Sequence, residues 1–175
     1  DDPDFAHMIL GERSIGGKGR SLLFGIKALR ESGDPELAET TIPRAMFLGS
    51  DVFDDFVTSI PNLNDLRMEG TSEALEKVFL NHPLPEEVTD RVRSFLSDMT
   101  DPVVVRSSSI QEDSLKYSFA GKYLSDFLGN FGTLDYRTWA VCREIRRVYS
   151  RVFFPKAIAY RSRHGIGDDS MGIIV

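Results

Sequence analysis

Val103-Val104-Val105, three β-branched residues directly behind an Asp101-Pro102 break, narrows the folds open to this chain further than any other stretch. Proline ends the helix before it, and stiff β-branched side chains favour the pleated conformation, so the chain has to build a sheet. Around that strand the periodicity is helical. Residues 19–32 recur at Leu22, Leu23, Ile26 and Leu29, with Gly33 supplying the stop. Ser50 stands as the N-cap of a helix carrying Val52, Phe53, Phe56 and Val57. Residues 72–80 repeat through Leu75, Val78 and Phe79, and Pro85-Glu86-Glu87 opens a helix that buries Val88, Val92, Phe95, Leu96 and Met99. Residues 138–154 place Val141, Ile145, Val148, Tyr149, Val152 and Phe153 on one face. Segments 42–48, 123–128 and 171–175 read as further strands, and 110–122 reads as a loop. Helices and strands interleave irregularly, which predicts an α+β (mixed α/β) fold.

At 175 residues the chain is long enough to bury a core without a disulfide or metal staple. Cys142 is the single cysteine, which excludes an internal disulfide and a multi-cysteine zinc site and predicts a reducing, cytoplasmic setting. No apolar run approaches the ~18 residues of a membrane span, so no membrane partner is expected. The acidic start, Asp1-Asp2-Pro3-Asp4, and the apolar stop, Met171-Gly-Ile-Ile-Val175, predict that 1–175 is an excised fragment of a larger protein.

The net charge of −6 is unevenly spread: residues 1–100 hold 10 basic and 19 acidic side chains, residues 101–175 hold 11 and 8. An acidic balance argues against a dedicated nucleic-acid-binding domain. The arginine face of helix 138–154 (Arg143, Arg146, Arg147, Arg151) reads as a solvated face whose acidic partner surface is missing.

Two stretches carry chemistry. Ile15-Gly16-Gly17-Lys18-Gly19 directly precedes a helix. Its glycines let backbone approach a ligand, a helix amino end offers N–H groups to an anion, and Lys18 adds a mobile positive charge. It is not a P-loop, because the required first glycine is Glu12 and no Ser or Thr follows the lysine. Alone it also reads as a flexible turn with an exposed lysine. The second stretch is Arg106-Ser107-Ser108-Ser109-Ile110-Gln111-Glu112-Asp113, followed by Ser118-Phe119-Ala120-Gly121-Lys122. A strand delivers Arg106 into a hydroxyl-rich loop, and an anchored guanidinium presents a planar fork to phosphate oxygens. Glu112 and Asp113 either pair with the arginine, order the loop or help hold a metal. The competing reading is a strand-end salt bridge beside a solvated turn.

Together these stretches resemble the N-terminal nucleotide-binding domain of the phosphoenolpyruvate synthase and pyruvate phosphate dikinase family. The matching residues are Gly16-Gly17-Lys18-Gly19-Arg20-Ser21-Leu22, Ile42-Pro43, Val105-Arg106-Ser107-Ser108-Ser109-Ile110-Gln111-Glu112-Asp113, Ser118-Phe119-Ala120-Gly121-Lys122 and Ala159-Tyr160-Arg161. Lys122 and Ser109 depart from the family's usual Gln and Ala. The resemblance implies an ATP-grasp-like nucleotide-binding subdomain, incomplete within 1–175. It implies that ATP gives a phosphoryl group to a histidine on a separate domain, which passes it to pyruvate or another acceptor. Lys18 and Arg106 would contact ATP phosphates, with Arg106 catalytic; Gly121 would offer backbone, and Ser125 would take a nucleotide contact. Mg2+ ligands are expected beyond Val175, and none of His7, His82 or His164 sits in a phosphohistidine motif. The isolated chain is expected to be inactive. The alternative is a non-catalytic nucleotide-sensing or interaction module of the same fold.

Overall fold

The computed structural model describes residues 3–111 and 125–175. Along them the chain runs from a 3-10 turn (Pro3–Met8) into β1 (Ile9–Leu10), α1 (Gly16–Glu31), α2 (Pro35–Ala38), β2 (Phe47–Leu48), α3 (Ser50–Ser59), α4 (Leu63–Glu69), α5 (Ser72–Asn81) and α6 (Glu86–Leu96). It continues through β3 (Val103–Ser109), β4 (Ser125–Leu128), α7 (Leu134–Ser150), a second 3-10 turn (Arg151–Phe153), α8 (Pro155–Arg163) and β5 (Met171–Ile174). The fold is mixed α and β, as the interleaved periodicities predict.

The helix boundaries follow local chemistry. Thr71 caps α5 by accepting from the Ala74 N–H at 3.2 Å, and Thr133 caps α7 by accepting from the Tyr136 N–H at 3.3 Å. That cap starts α7 at Leu134, one turn earlier than its apolar stripe suggests, because the first turn is polar. Gly49, rather than Ser50, is the N-cap of α3, and Ser50 is its first helical residue. Pro85 likewise stands just outside α6. The predicted strand 42–48 is shorter: Phe47 and Leu48 form β2, and Met46 before them exchanges backbone hydrogen bonds with Val175 at 2.9 Å each way. The expected strand start at Tyr123 and most of the 110–122 loop lie outside the described residues.

The strands form one sheet in the order β1-β2-β5-β3-β4. β1 runs parallel to β2, and β5 runs antiparallel to both β2 and β3. β5 is buried along its whole length, which explains its unbroken apolar sequence. One sheet face packs Val103, Val105, Met171 and Ile173 against α3, α5, α6 and α7, where Phe53, Phe56, Phe79 and Tyr149 form the largest core cluster. The rings pack mainly edge-on or tilted: Phe53 lies 5.0 Å from Tyr149, and Phe56 lies 5.8 Å from Phe79. The other face carries Phe47 and Ile174 and is covered by Ile15 and Leu23 from α1 and its entry.

The arginine face of α7 is not a solvated stripe. Arg147 bonds Asp126 at 2.8 Å, Glu144 at 3.2 Å and Glu76 at 3.3 Å, while Arg151 reaches Glu76 at 3.3 Å. Arg146 donates to the carbonyls of Leu80 (2.7 Å) and His82 (3.3 Å). The acidic partner surface is supplied by α5, β4 and α7 itself, so these cations clamp elements together.

Candidate functional site

Strand alternation sorts β3 between the two sheet faces. Val103, Val105 and Ser107 turn to the helical core, and Val104, Arg106 and Ser108 turn toward α1. The strand continues past Arg106 to Ser109, so the serines are part of the sheet rather than of a hydroxyl-rich loop. All three serines are buried. They remain in the sheet because β5 pairs with them residue for residue, and the small side chain of Ser108 lets α1 approach closely.

Ser108 explains the glycines before α1. Its hydroxyl donates to the Ile15 carbonyl at 2.7 Å and accepts from the Gly19 N–H at 2.9 Å. The amino end of α1 is therefore held by a strand 89 positions away, with no side-chain cap from Ile15. Gly16 sits at φ +73°, and a Cβ there would lie 1.8 Å from the Ser108 carbonyl oxygen. Gly172 on β5 faces the same seam, where a Cβ would approach the Ile15 backbone to 2.7 Å. A lone glycine inside the apolar run Met171–Val175 is the sequence signal for that close approach.

This seating carries Lys18 to the strand. Its Nζ donates to the Ser107 carbonyl at 3.2 Å, next in sequence to Arg106. Arg106 is exposed in mid-sheet, opposite Ser125 on β4 and Ile174 on β5. Ser125 is exposed too, and Phe127, two residues along β4 on the same face, is 79% exposed. Of the expected ligand residues, Lys18 thus bonds the backbone next to Arg106, and Arg106 and Ser125 are register partners on one face of the sheet. Gly121, Glu112, Asp113 and Lys122 lie outside the described residues.

Supporting groups hold the edges of this face. Ser109 donates to the buried Asp169 carboxylate at 2.6 Å and accepts from the Gln111 N–H at 2.9 Å. Asp51 at the start of α3 accepts from the backbone N–H groups of Glu12 (2.6 Å) and Arg13 (3.3 Å) and so anchors the segment leading into α1. Burial pushes the Asp51 carboxyl up, but its backbone hydrogen bonds outweigh this and hold it below its usual value. Cys142 is buried on α7, and burial raises its thiol pKa, which makes it a packing residue. His82 ends α5 with its Nε2 2.8 Å from the Ser59 hydroxyl, and His164 ends α8 with its ring 4.5 Å from that of Tyr160. Among the described residues, no group of three or more His, Cys, Asp and Glu side chains is placed to hold a metal ion. No described helix is long and apolar enough to cross a membrane.

The glycine-opened end of α1 seated on β3 belongs to an α+β domain, and helix amino ends and guanidinium groups are chemistry suited to phosphate. A sequence model of the family described as pyruvate phosphate dikinase, AMP/ATP-binding domain, matches residues 12–175, and the chain belongs to that family. Membership makes it an adenine-nucleotide-binding domain. No curated protein matches the chain.

Proposed function

We propose that the chain binds ATP with its phosphates across Lys18 and Arg106, as one wall of an ATP-grasp site in a cytoplasmic dikinase-type phosphotransferase. The observation that supports this reading is the 3.2 Å bond from Lys18 Nζ to the Ser107 carbonyl, the backbone group next in sequence to Arg106. Two preorganised cations stabilise charge that develops on a transferring phosphoryl group. Gly121 supplies backbone to the nucleotide and Ser125 a hydroxyl, while the exposed Phe127 ring offers the base a stacking surface. The phosphoryl group then passes through a histidine on another domain to pyruvate or another acceptor. Mg2+, which would neutralise phosphate charge, takes its ligands from outside the described residues.

The test is a set of affinities for ATP and for inorganic tripolyphosphate. Lys18→Ala and Arg106→Ala are each expected to weaken both ligands by about tenfold or more, since a charge-assisted bond contributes roughly 1.5–3 kcal/mol. Arg106→Lys keeps the charge but loses the planar fork and should recover only part of the affinity. Phe127→Ala should weaken ATP and leave tripolyphosphate unchanged. Wild-type affinity for both ligands in the Lys18 and Arg106 variants, with unaltered melting temperatures, would overturn the reading.

A further inference from the structure

A second cationic site lies at the opposite end of α1. The carboxyl end of α1, the extended segment 42–46 and α6 enclose a cleft of about 340 Å³, within the size range of small-ligand sites. Arg30, Arg44 and Arg91 line it, and among the described residues no Asp or Glu does. In a chain of net charge −6 that is an unusual concentration of one sign. The floor is apolar, made by Ile26 and Met46, both buried, and by Phe95.

The guanidinium groups are held in place by contacts that leave donors to spare. Arg30 lies 5.1 Å above the Phe5 ring, and Arg44 lies 5.6 Å above the Phe95 ring. Arg44 also bonds Asp98 at 3.0 Å, and Arg91 donates to the His7 carbonyl. Each guanidinium has five N–H donors, and these bonds use one each of Arg44 and Arg91. Arg44 is already paired with Asp98, but Arg30 and Arg91 are like charges beside an apolar floor, and an anion in the cleft offsets their repulsion. Arg30 is twelve residues along α1 from Lys18, about 18 Å at helical rise, so this cleft is separate from the nucleotide face.

We infer that the cleft binds a small organic phosphate, an apolar body of a few carbon atoms on Phe95 and Met46 with its phosphate among Arg30, Arg44 and Arg91. Arginine forks match phosphate oxygens pairwise, and the apolar floor favours an ester over inorganic phosphate. The inference rests on this cleft alone and stands or falls independently of the proposed ATP site.

Phenyl phosphate serves as the probe and inorganic phosphate as the comparator, with binding to the whole chain followed by calorimetry. Saturable binding of phenyl phosphate, about tenfold tighter than inorganic phosphate, is expected. Arg30→Gln and Arg91→Gln should each weaken it about tenfold or more, and Lys18→Ala should leave it unchanged. Arg91 also secures the amino-terminal turn, so Arg30→Gln, on the exposed rim, provides a test that does not depend on that contact. Undiminished binding in Arg30→Gln, loss of binding in Lys18→Ala, or no saturation at millimolar probe would each overturn the assignment. Capture of an acidic peptide in place of phenyl phosphate would overturn it too, by making the cleft a protein contact.

Discussion

Asp51 shows how a single carboxylate holds the segment leading into α1 in position. It joins the start of α3 to the backbone of Glu12 and Arg13, a few residues before the Gly16–Gly19 turn. Its folded pKa lies below the ordinary 3.8, so the ionised form is favoured in the folded state. Stability from this group is therefore full at pH values above 3.8 and is lost as pH falls through the lower folded value. Asp51→Asn is expected to cost about 1 kcal/mol at pH 7, allowing for solvent screening of a partly exposed group. Urea unfolding from pH 7 to pH 3 checks this: the gap between variant and wild type should stay constant to about pH 5 and close below it. Lys18 and Arg106 obey the same logic of placement. Neither is unusual as a residue; the ATP reading proposed above uses the bond that sets Lys18 on the Ser107 carbonyl, next in sequence to Arg106.

At the scale of elements, two of the four glycines of α1 have opposite requirements. Gly16 combines a left-handed φ of +73° with a 1.8 Å approach to the Ser108 carbonyl oxygen, so Gly16→Ala must displace the helix end from the strand. Gly25, in the middle of the same helix, has open space on its Cβ side: a methyl group added there would meet nothing within 4 Å. Gly16→Ala is expected to cost about 3 kcal/mol, from backbone strain and collision together, whereas Gly25→Ala should stabilise by roughly 0.5–1 kcal/mol. Thermal unfolding of the two variants, measured side by side, tests the assignment. If Gly16→Ala melts like wild type, the seam between α1 and β3 is not held as described. The pair also shows why a glycine-rich stretch is ambiguous when read locally. The motif marks where backbone comes close to something, and the partner, Ser108, is 92 residues from Gly16.

For the molecule as a whole, the described residues place cations on one sheet face and, among themselves, no cluster able to hold a metal. Phosphoryl transfer requires metal and aligned groups around the phosphates. As one wall of the site proposed above, the chain alone is expected to bind ATP without turning it over. Magnesium-dependent release of phosphate, or phosphorylation of pyruvate, by the purified chain would contradict this.

The α+β class, most helices and the strand beginning at Val103 were legible in the sequence, because β-branched runs, proline breaks and 3.6-residue stripes act within a turn or two of chain. The family was legible as well, from the Gly16–Leu22 and Val105–Asp113 blocks. Only the tertiary structure decided that Ser107–Ser109 are buried strand residues, since pairing with β5 joins segments more than 60 positions apart. It also decided that the arginines of α7 answer Glu76 and Asp126, which no local period relates. The physical division is one of range: local propensity sets which elements form, and the return of the chain sets which side chains those elements bring together.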